Sequence, residues 1–311
     1  MKPRTLVTAL AFAVPVIGLL ELGGYFHFAN RAPSPEAWEQ ARPVVHEAYR
    51  PGDVVVVAPR WAEPIARWKL GGEVFPLREV ARPDVSRYAR VIEVSSMGAR
   101  SPELEGWPVE KESHVGKLVV RTLRNPVPPT VTFDFTDHLS PSRAEVEFTK
   151  KGRTQPCRYN ARAPIETRGY YSPPPFPAQR YQCDDGPEHF IGVTVIQDDR
   201  ALPRRCIFAP PPGDGGETIL RYRDVPLGKV IRGHLGIQWI MERDRLGSPI
   251  TLRVRVDGED VGQAVHEDGV GWKPFELALG SHAGKEKATV EFRVTAPERK
   301  ERHLCFEADS R

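Results

Sequence analysis

Two sets of residues in this chain have the types and spacing for ligand chemistry. The first is Arg60-Trp61-Ala62-Glu63 together with Ser96-Met97-Gly98-Ala99-Arg100. Each comes after an apolar run that reads as a strand, and open α/β sheets bind ligands outside the carboxyl ends of their strands. If those strands are neighbours, Arg60, Trp61, Glu63, Ser96 and Arg100 converge on one crevice. Two guanidiniums beside an aromatic platform suit an anionic or sugar ligand. The competing reading puts Trp61 in the core and pairs Arg60 with Glu63. The second set is Trp239 and Trp272, candidates for stacking on sugar rings, whose competing role is core packing. Asp184, Asp185 and Glu188 beside Cys183, with Asp214 in a Gly-rich loop, carry oxygen ligands of the kind Ca²⁺ takes. Two short acidic loops are a thin basis for a site, and no metal or other cofactor is expected.

Catalytic templates are absent. The chain has no G-x-S-x-G elbow, no H-E-x-x-H, no Walker loop and no G-x-G-x-x-G. Its nine histidines are scattered. Carboxylate pairs for glycoside hydrolysis are set by distance in space, so the sequence does not decide on them. A non-catalytic role is favoured.

The four cysteines, Cys157, Cys183, Cys206 and Cys305, all lie in the C-terminal part. In an exported chain an even count reads as two disulfides. No pair has C-x-x-C spacing, which weighs against zinc. Three pairings are open. Cys157 with Cys183 is favoured, because it staples a Pro-rich excursion containing Pro173-Pro174-Pro175. That leaves Cys206 with Cys305, flanked by Ile207, Phe208, Leu304 and Phe306. The first bridge is expected to be the more labile and the second to be buried.

The elements that position these residues can be read from periodicity. Ser34 caps a helix whose apolar positions are Ala37, Trp38, Ala41, Val44, Val45 and Ala48. Asp53–Ala58 is a β-branched run of the kind buried on both faces. A helical stretch from Trp61 to Leu70, a strand over 90–95, a helix within 102–115 and a strand over 117–123 complete a β-α-β-α-β order. That order predicts a small α/β domain with a mostly parallel sheet. From Thr130 the pattern changes to strict alternation, as in Leu252, Val254 and Val256 against Arg253, Arg255 and Asp257. Period two with one wet face predicts antiparallel strands. Asp257-Gly258 is a hairpin signal. Nine or ten such strands predict a jelly-roll-like sandwich.

The N-terminus decides location. Lys2 and Arg4 precede Thr5–Phe28, a run free of Lys and Arg and broken only by Glu21 and His27. At about 1.5 Å per residue this run is about 36 Å long as a helix, against a bilayer core of about 30 Å. It reads as an uncleaved signal anchor, N-terminus cytoplasmic and body outside the inner membrane, periplasmic or extracytoplasmic. The expected organisation is an anchor over 1–30, the α/β domain over 31–125 and the sandwich over 126–311, with a Pro-rich insertion over 150–188. Net charge is +3. Residues 31–125 carry 15 basic and 13 acidic side chains, so no segment there has the excess that a nucleic-acid partner demands.

Three stretches, Pro249–Glu259, Gly271–Leu277 and Ala288–Val294, form the series strand, Asp-Gly turn, Trp272-x-x-Phe275 strand, strand. This series resembles the galactose-binding-like β-sandwich of many carbohydrate-binding modules, which implies that fold and a glycan ligand. Arg50–Pro59 is similar to the soluble tail after the last membrane helix of polytopic lipid-linked glycosyltransferases. The favoured function is a membrane-anchored cell-envelope protein whose sandwich binds carbohydrate or another envelope component. The alternatives are an assembly partner of a membrane glycosyltransferase and a glycan-acting hydrolase.

Overall fold

In the computed structural model, which describes residues 3–76, 79, 84–165, 175–186 and 188–311, contacts divide the chain into two units. One is Met1–Pro76 with Tyr88–Pro128; the other is Leu77–Arg87 with Pro129–Arg311.

The first unit opens with α1 (Pro3–Ala29), a 27-residue helix. Among the described residues no helix is long and apolar enough to cross a membrane. α2 (Pro35–Ala48) starts where its cap predicts: the Ala37 N–H donates to Ser34 Oγ at 3.4 Å. Its buried residues Trp38, Ala41 and Val45 share one face at helical spacing. β1 (Val54–Ala58) is buried throughout, and α3 (Glu63–Leu70) comes next. β2 (Arg90–Ser96), β3 (Val109–Val115) and β4 (Leu118–Arg124) complete a four-stranded sheet of order β1-β2-β4-β3.

The mostly parallel sheet expected here is corrected. Only β1 and β2 run parallel; β2–β4 and β4–β3 are antiparallel. The cause lies in 102–115, where the sequence pattern predicts a crossover helix. That segment makes a single 3₁₀ turn over Pro102–Leu104. Gly106 then takes φ +78°, and Pro108 removes a donor. The chain next enters β3, an edge strand with Glu110, Lys111, Glu112 and His114 turned to solvent.

The second unit is all antiparallel pairs. Its strands are β5 (Phe133–Asp134), β6 (Ala144–Lys150), β7 (Arg153–Pro156), β8 (Arg158–Asn160), β9 (Arg180–Gln182), β10 (Phe190–Gln197) and β11 (Pro203–Phe208). Then come β12 (Glu217–Val225), β13 (Val230–Gly236), α4 (Trp239–Asp244), β14 (Ile250–Val256) and β15 (Glu259–His266). β16 (Lys273–Ala278), β17 (Ala288–Thr295) and β18 (Cys305–Ser310) close the chain. One sheet has the order β16-β13-β18-β11-β10-β9-β8, with β5 added on β18; the other has the order β15-β14-β17-β12-β6-β7.

A β-sandwich results because alternate residues of both sheets meet in one core. Leu252, Val254 and Val256 are buried there with Val290, Phe292, Val294, Leu220 and Phe306. Tyr222 is fully buried and donates its hydroxyl to the Phe135 carbonyl at 3.0 Å. Burial raises the Tyr222 phenol well above its ordinary range, so it remains a donor. Both disulfides form, Cys157–Cys183 and Cys206–Cys305. The first joins positions next to the β8–β9 pair Arg158–Gln182. The second ties β11 to its neighbour β18. Two features of this unit differ from expectation. Among the described residues the excursion over 150–188 contains three short strands, and α4 lies between two expected strands in a unit read as nine or ten strands. Pro173 and Pro174 lie outside the described residues.

Candidate ligand-binding site

Antiparallel pairing brings distant loops to one end of the sandwich. Phe208 and Gly236 both pair with Cys305, Glu217 pairs with Thr149 and Thr295, and Ile250 pairs with His266. The loops over 183–189, 209–216, 237–249, 267–272 and 296–304 therefore share that end.

Three of them enclose a cleft of about 410 Å³ lined by Glu188, Pro210, Arg299, Lys300, Glu301 and His303. Arg299 of this lining is held by Asp185. Arg299 Nη1 donates to the Asp185 carbonyl at 2.7 Å and to Oδ2 at 2.9 Å, while Lys150 Nζ donates to Oδ1 at 2.9 Å. His189 Nδ1 lies 3.5 Å from the same carboxylate, and its Nε2 is 3.1 Å from Thr218 Oγ1. The loop after β11 comes close because Gly213, at φ +72°, has no side chain. A Cβ there would sit 2.9 Å from the Arg299 backbone nitrogen. Asp185 is thus committed to cations. Among the described residues no group of His, Cys, Asp and Glu is placed to hold a metal.

His303 brings a neutral ring to the cleft. Burial, then the charges of Arg302 and Arg299, lower its pKa to about 4. The ring meets Phe208 edge-on at 5.7 Å, and Nδ1 is buried without a protein partner. His189 is also lowered to about 4, by burial first and then by Arg299, against the opposing pull of Asp185. At pH 7 the cleft offers cationic donors, carboxylate acceptors and an imidazole that does both.

The adjoining loops are stiffened by a buried ion pair, Arg302–Asp268, and by the buried Glu242 carboxylate. Arg302 grips Asp268 at 2.6 and 2.8 Å and donates to the Ser248 carbonyl at 2.8 Å. Glu242 of α4 lies 2.7 Å from His266 Nε2 and accepts the Gly269 N–H at 2.6 Å. Such pairs add little net stability but fix one arrangement of the loops that carry them. The chain entering His303 is held this way.

Trp239 and Trp272 sit beside this end but do not line the cleft. Trp272 packs against Phe176, Phe190, Ile196, Cys206, Phe208 and Cys305. Gly236 gives it room, since a Cβ there would approach the indole to 2.6 Å. Trp239 packs on the main core with the Arg243 guanidinium 5.1 Å over its ring.

The crevice expected in the first unit is rearranged. β1 and β2 are neighbours, with Ala58 opposite Ser95. Arg60, however, pairs with Glu103, and Glu63 pairs with Arg67. Arg100 Nε lies 2.9 Å from Glu93, a fully buried carboxylate that also takes Arg121 at 3.2 Å and the Ser101 N–H at 2.7 Å. Ser96 is buried, its Oγ 3.5 Å from the Ala58 carbonyl. The guanidiniums are spent on internal carboxylates. Trp61 is 67% exposed, contrary to the core reading, and so is Trp68 at 73%.

No family model matches the chain, and no curated protein matches it. The similarity of Arg50–Pro59 to glycosyltransferase tails thus finds no support. Among solved structures, the chain is similar to the CBM51-2 and INT domains of ZmpB from Clostridium perfringens, solved in complex with GlcNAc. The identity is 12% and the TM-score 0.29, over 65% of this chain and 40% of that one. It is also similar to CBM51 from Clostridium perfringens GH95 in complex with methyl-galactose, at 14% identity and a TM-score of 0.27, over 38% of this chain and 81% of that one. The chain thus spans well under two thirds of the first of these structures. Likenesses of this size assign neither fold nor ligand, and the sandwich stands on its own strand pairings.

Proposed function

We propose that this chain is an anchored, extracytoplasmic glycan-binding protein whose ligand sits in the cleft at the loop end of the sandwich. The observation that carries the reading is the cleft itself. Its volume of about 410 Å³ lies within the range of small-molecule sites, roughly 300–1,000 Å³. Its lining mixes Arg299 and Lys300 with Glu188 and Glu301, so formal charge balances and both donors and acceptors are presented. A polyhydroxylated, uncharged ligand uses such a lining, because each hydroxyl both donates and accepts.

The location rests on other features. Two disulfides fit an oxidising compartment. α1 exposes Val14, Ile17, Leu19, Leu20, Tyr25 and Phe26, an apolar surface that calls for a covering phase. Lys2 before it and Arg4 in its first turn favour a cytoplasmic N-terminus.

The test is a glycan array, including cell-wall oligosaccharides, probed with the full chain in detergent. Saturable binding is expected to at least one neutral glycan. Lys300→Ala and His303→Ala are expected to weaken it by roughly 10-fold each, the loss of one or two well-placed hydrogen bonds. A folded protein that binds no glycan contradicts the reading. A cleaving role has one observation in its favour: Glu188 and Glu301 line the same cleft. It predicts that new reducing ends appear with the wild type and vanish with Glu301→Gln.

A further inference from the structure

The solvent face of the six-stranded sheet in the second unit carries another groove. Register puts Arg253 of β14 opposite Gln263 of β15 on one side and opposite Arg293 of β17 on the other. Beyond Gln263 the pairing shifts. Val254 faces Gly262 and Arg255 faces Asp260, so Val261 is the extra residue of a β-bulge. The shift decides which side chains meet. It brings Asp260 opposite Arg255, whose Nε lies 3.2 Å from Oδ1. The arginines of β17 and β12 are engaged as well: Arg293 by Glu217 and Glu291, Arg221 by Glu147 and Glu291, and Arg223 by Glu145. Arg253 is exposed, and among the described residues no carboxylate or carbonyl takes its guanidinium. It lines a groove of about 410 Å³ with Asp260, Val261, Gly262 and Gln263.

We infer that this groove binds an acidic saccharide, with one sugar carboxylate seated on the Arg253 guanidinium. The planar fork of an arginine matches a carboxylate through two parallel N–H···O bonds. A guanidinium without an internal carboxylate offers that fork with no ion pair to break. The flanking groups suit sugar hydroxyls. The Gln263 carboxamide both donates and accepts, the Asp260 carboxylate accepts, and the bulge leaves Val261 outside the strand ladder. Val261 is the one lining side chain that is apolar, so the groove offers little to the apolar side chains of a peptide. Its volume lies within the range of small-molecule sites, roughly 300–1,000 Å³. This groove and the loop-end cleft share no lining residue, so each can bind without the other.

The experiment titrates the full chain in non-ionic detergent with three probes: a trimer of glucuronic acid, the same trimer with its carboxyls reduced to alcohols, and triglutamate. The acidic trimer is expected to bind about 10-fold more tightly than its reduced form, the effect of one charge-assisted pair. That preference is expected to shrink as salt rises, because the site is exposed. Arg253→Gln is expected to melt with the wild type, since Arg253 holds no other side chain, and to abolish the preference. Arg253→Lys keeps the charge without the fork and is expected to restore only part of it. His303→Ala is expected to leave it unchanged. A folded wild type that binds neither trimer, or both alike, overturns the inference. A preference that survives Arg253→Gln also overturns it. If His303→Ala removes that surviving preference, the acid sits in the loop-end cleft and the proposed function stands. Triglutamate binding as tightly as the acidic trimer overturns the assignment to a saccharide.

Discussion

His189 and His303 share Arg299 as a neighbouring charge, and both are neutral at pH 7. Their pKa values fall to about 4 in the folded chain, from an ordinary 6.5. Between those values the unfolded chain binds protons that the folded chain refuses. Stability is therefore constant above about pH 6.5 and falls as pH drops toward 4, by about 1.4 kcal/mol per pH unit for each ring. Carboxylates held low by their partners, such as Asp84 and Glu291, lose their contribution only below about pH 4.5. The window from 6.5 to 4.5 thus belongs to the histidines. Urea midpoints measured across it should fall steadily with pH, and His303→Asn should flatten the slope by about half. A midpoint that does not move with pH across that window would contradict the burial assigned to both rings. At this scale little of the site was legible. Trp239 and Trp272 suit sugar stacking by residue type, and both pack half-buried against core residues outside the cleft lining. Arg299, Lys300, Glu301 and His303 sit in a run of charges between two strands, which reads from sequence as a solvated loop.

Elements were far more legible, because periodicity survives without knowledge of partners. Ser34 announced α2, the β-branched run announced β1, and Asp257-Gly258 announced the turn between β14 and β15. The failures have local causes. β3 is a charged edge strand whose alternation carries no apolar signal, so 102–115 reads as helix. α4 is six residues long, too short for a helical period to show. The disulfide pairing was legible because one bridge closes a Pro-rich excursion. Each bridge belongs to a different element, and their behaviour should differ. Cys206 and Cys305 are fully buried beside Phe176, Phe190 and Phe208, while Cys157 and Cys183, buried but less completely, flank a short strand pair. Graded reduction followed by alkylation and peptide mapping should open Cys157–Cys183 first. Removing Cys206–Cys305 should cost about 4–5 kcal/mol in the chain-entropy model, for a separation of 99 residues. Simultaneous opening of both bridges would show that burial does not set their order.

The whole molecule divides its labour. The first unit carries α1 and a four-stranded mixed sheet; the second carries a disulfide-stapled sandwich with a loop-end cleft. The cleft was invisible in the sequence because Glu188, Pro210 and Arg299–His303 come from three distant loops. Only the pairings among β10, β11, β17 and β18 and their neighbours bring them together. The central claim is that this cleft is where the glycan sits. It is tested most directly by titrating the full chain, labelled with ¹⁵N-histidine, with the best glycan from the array while monitoring the imidazole resonances. His303→Asn identifies the signal of His303. A glycan seated in the cleft predicts a saturable shift of that signal, with the same midpoint as binding. The contradicting result is a glycan that binds and saturates while the His303 resonance stays where it was.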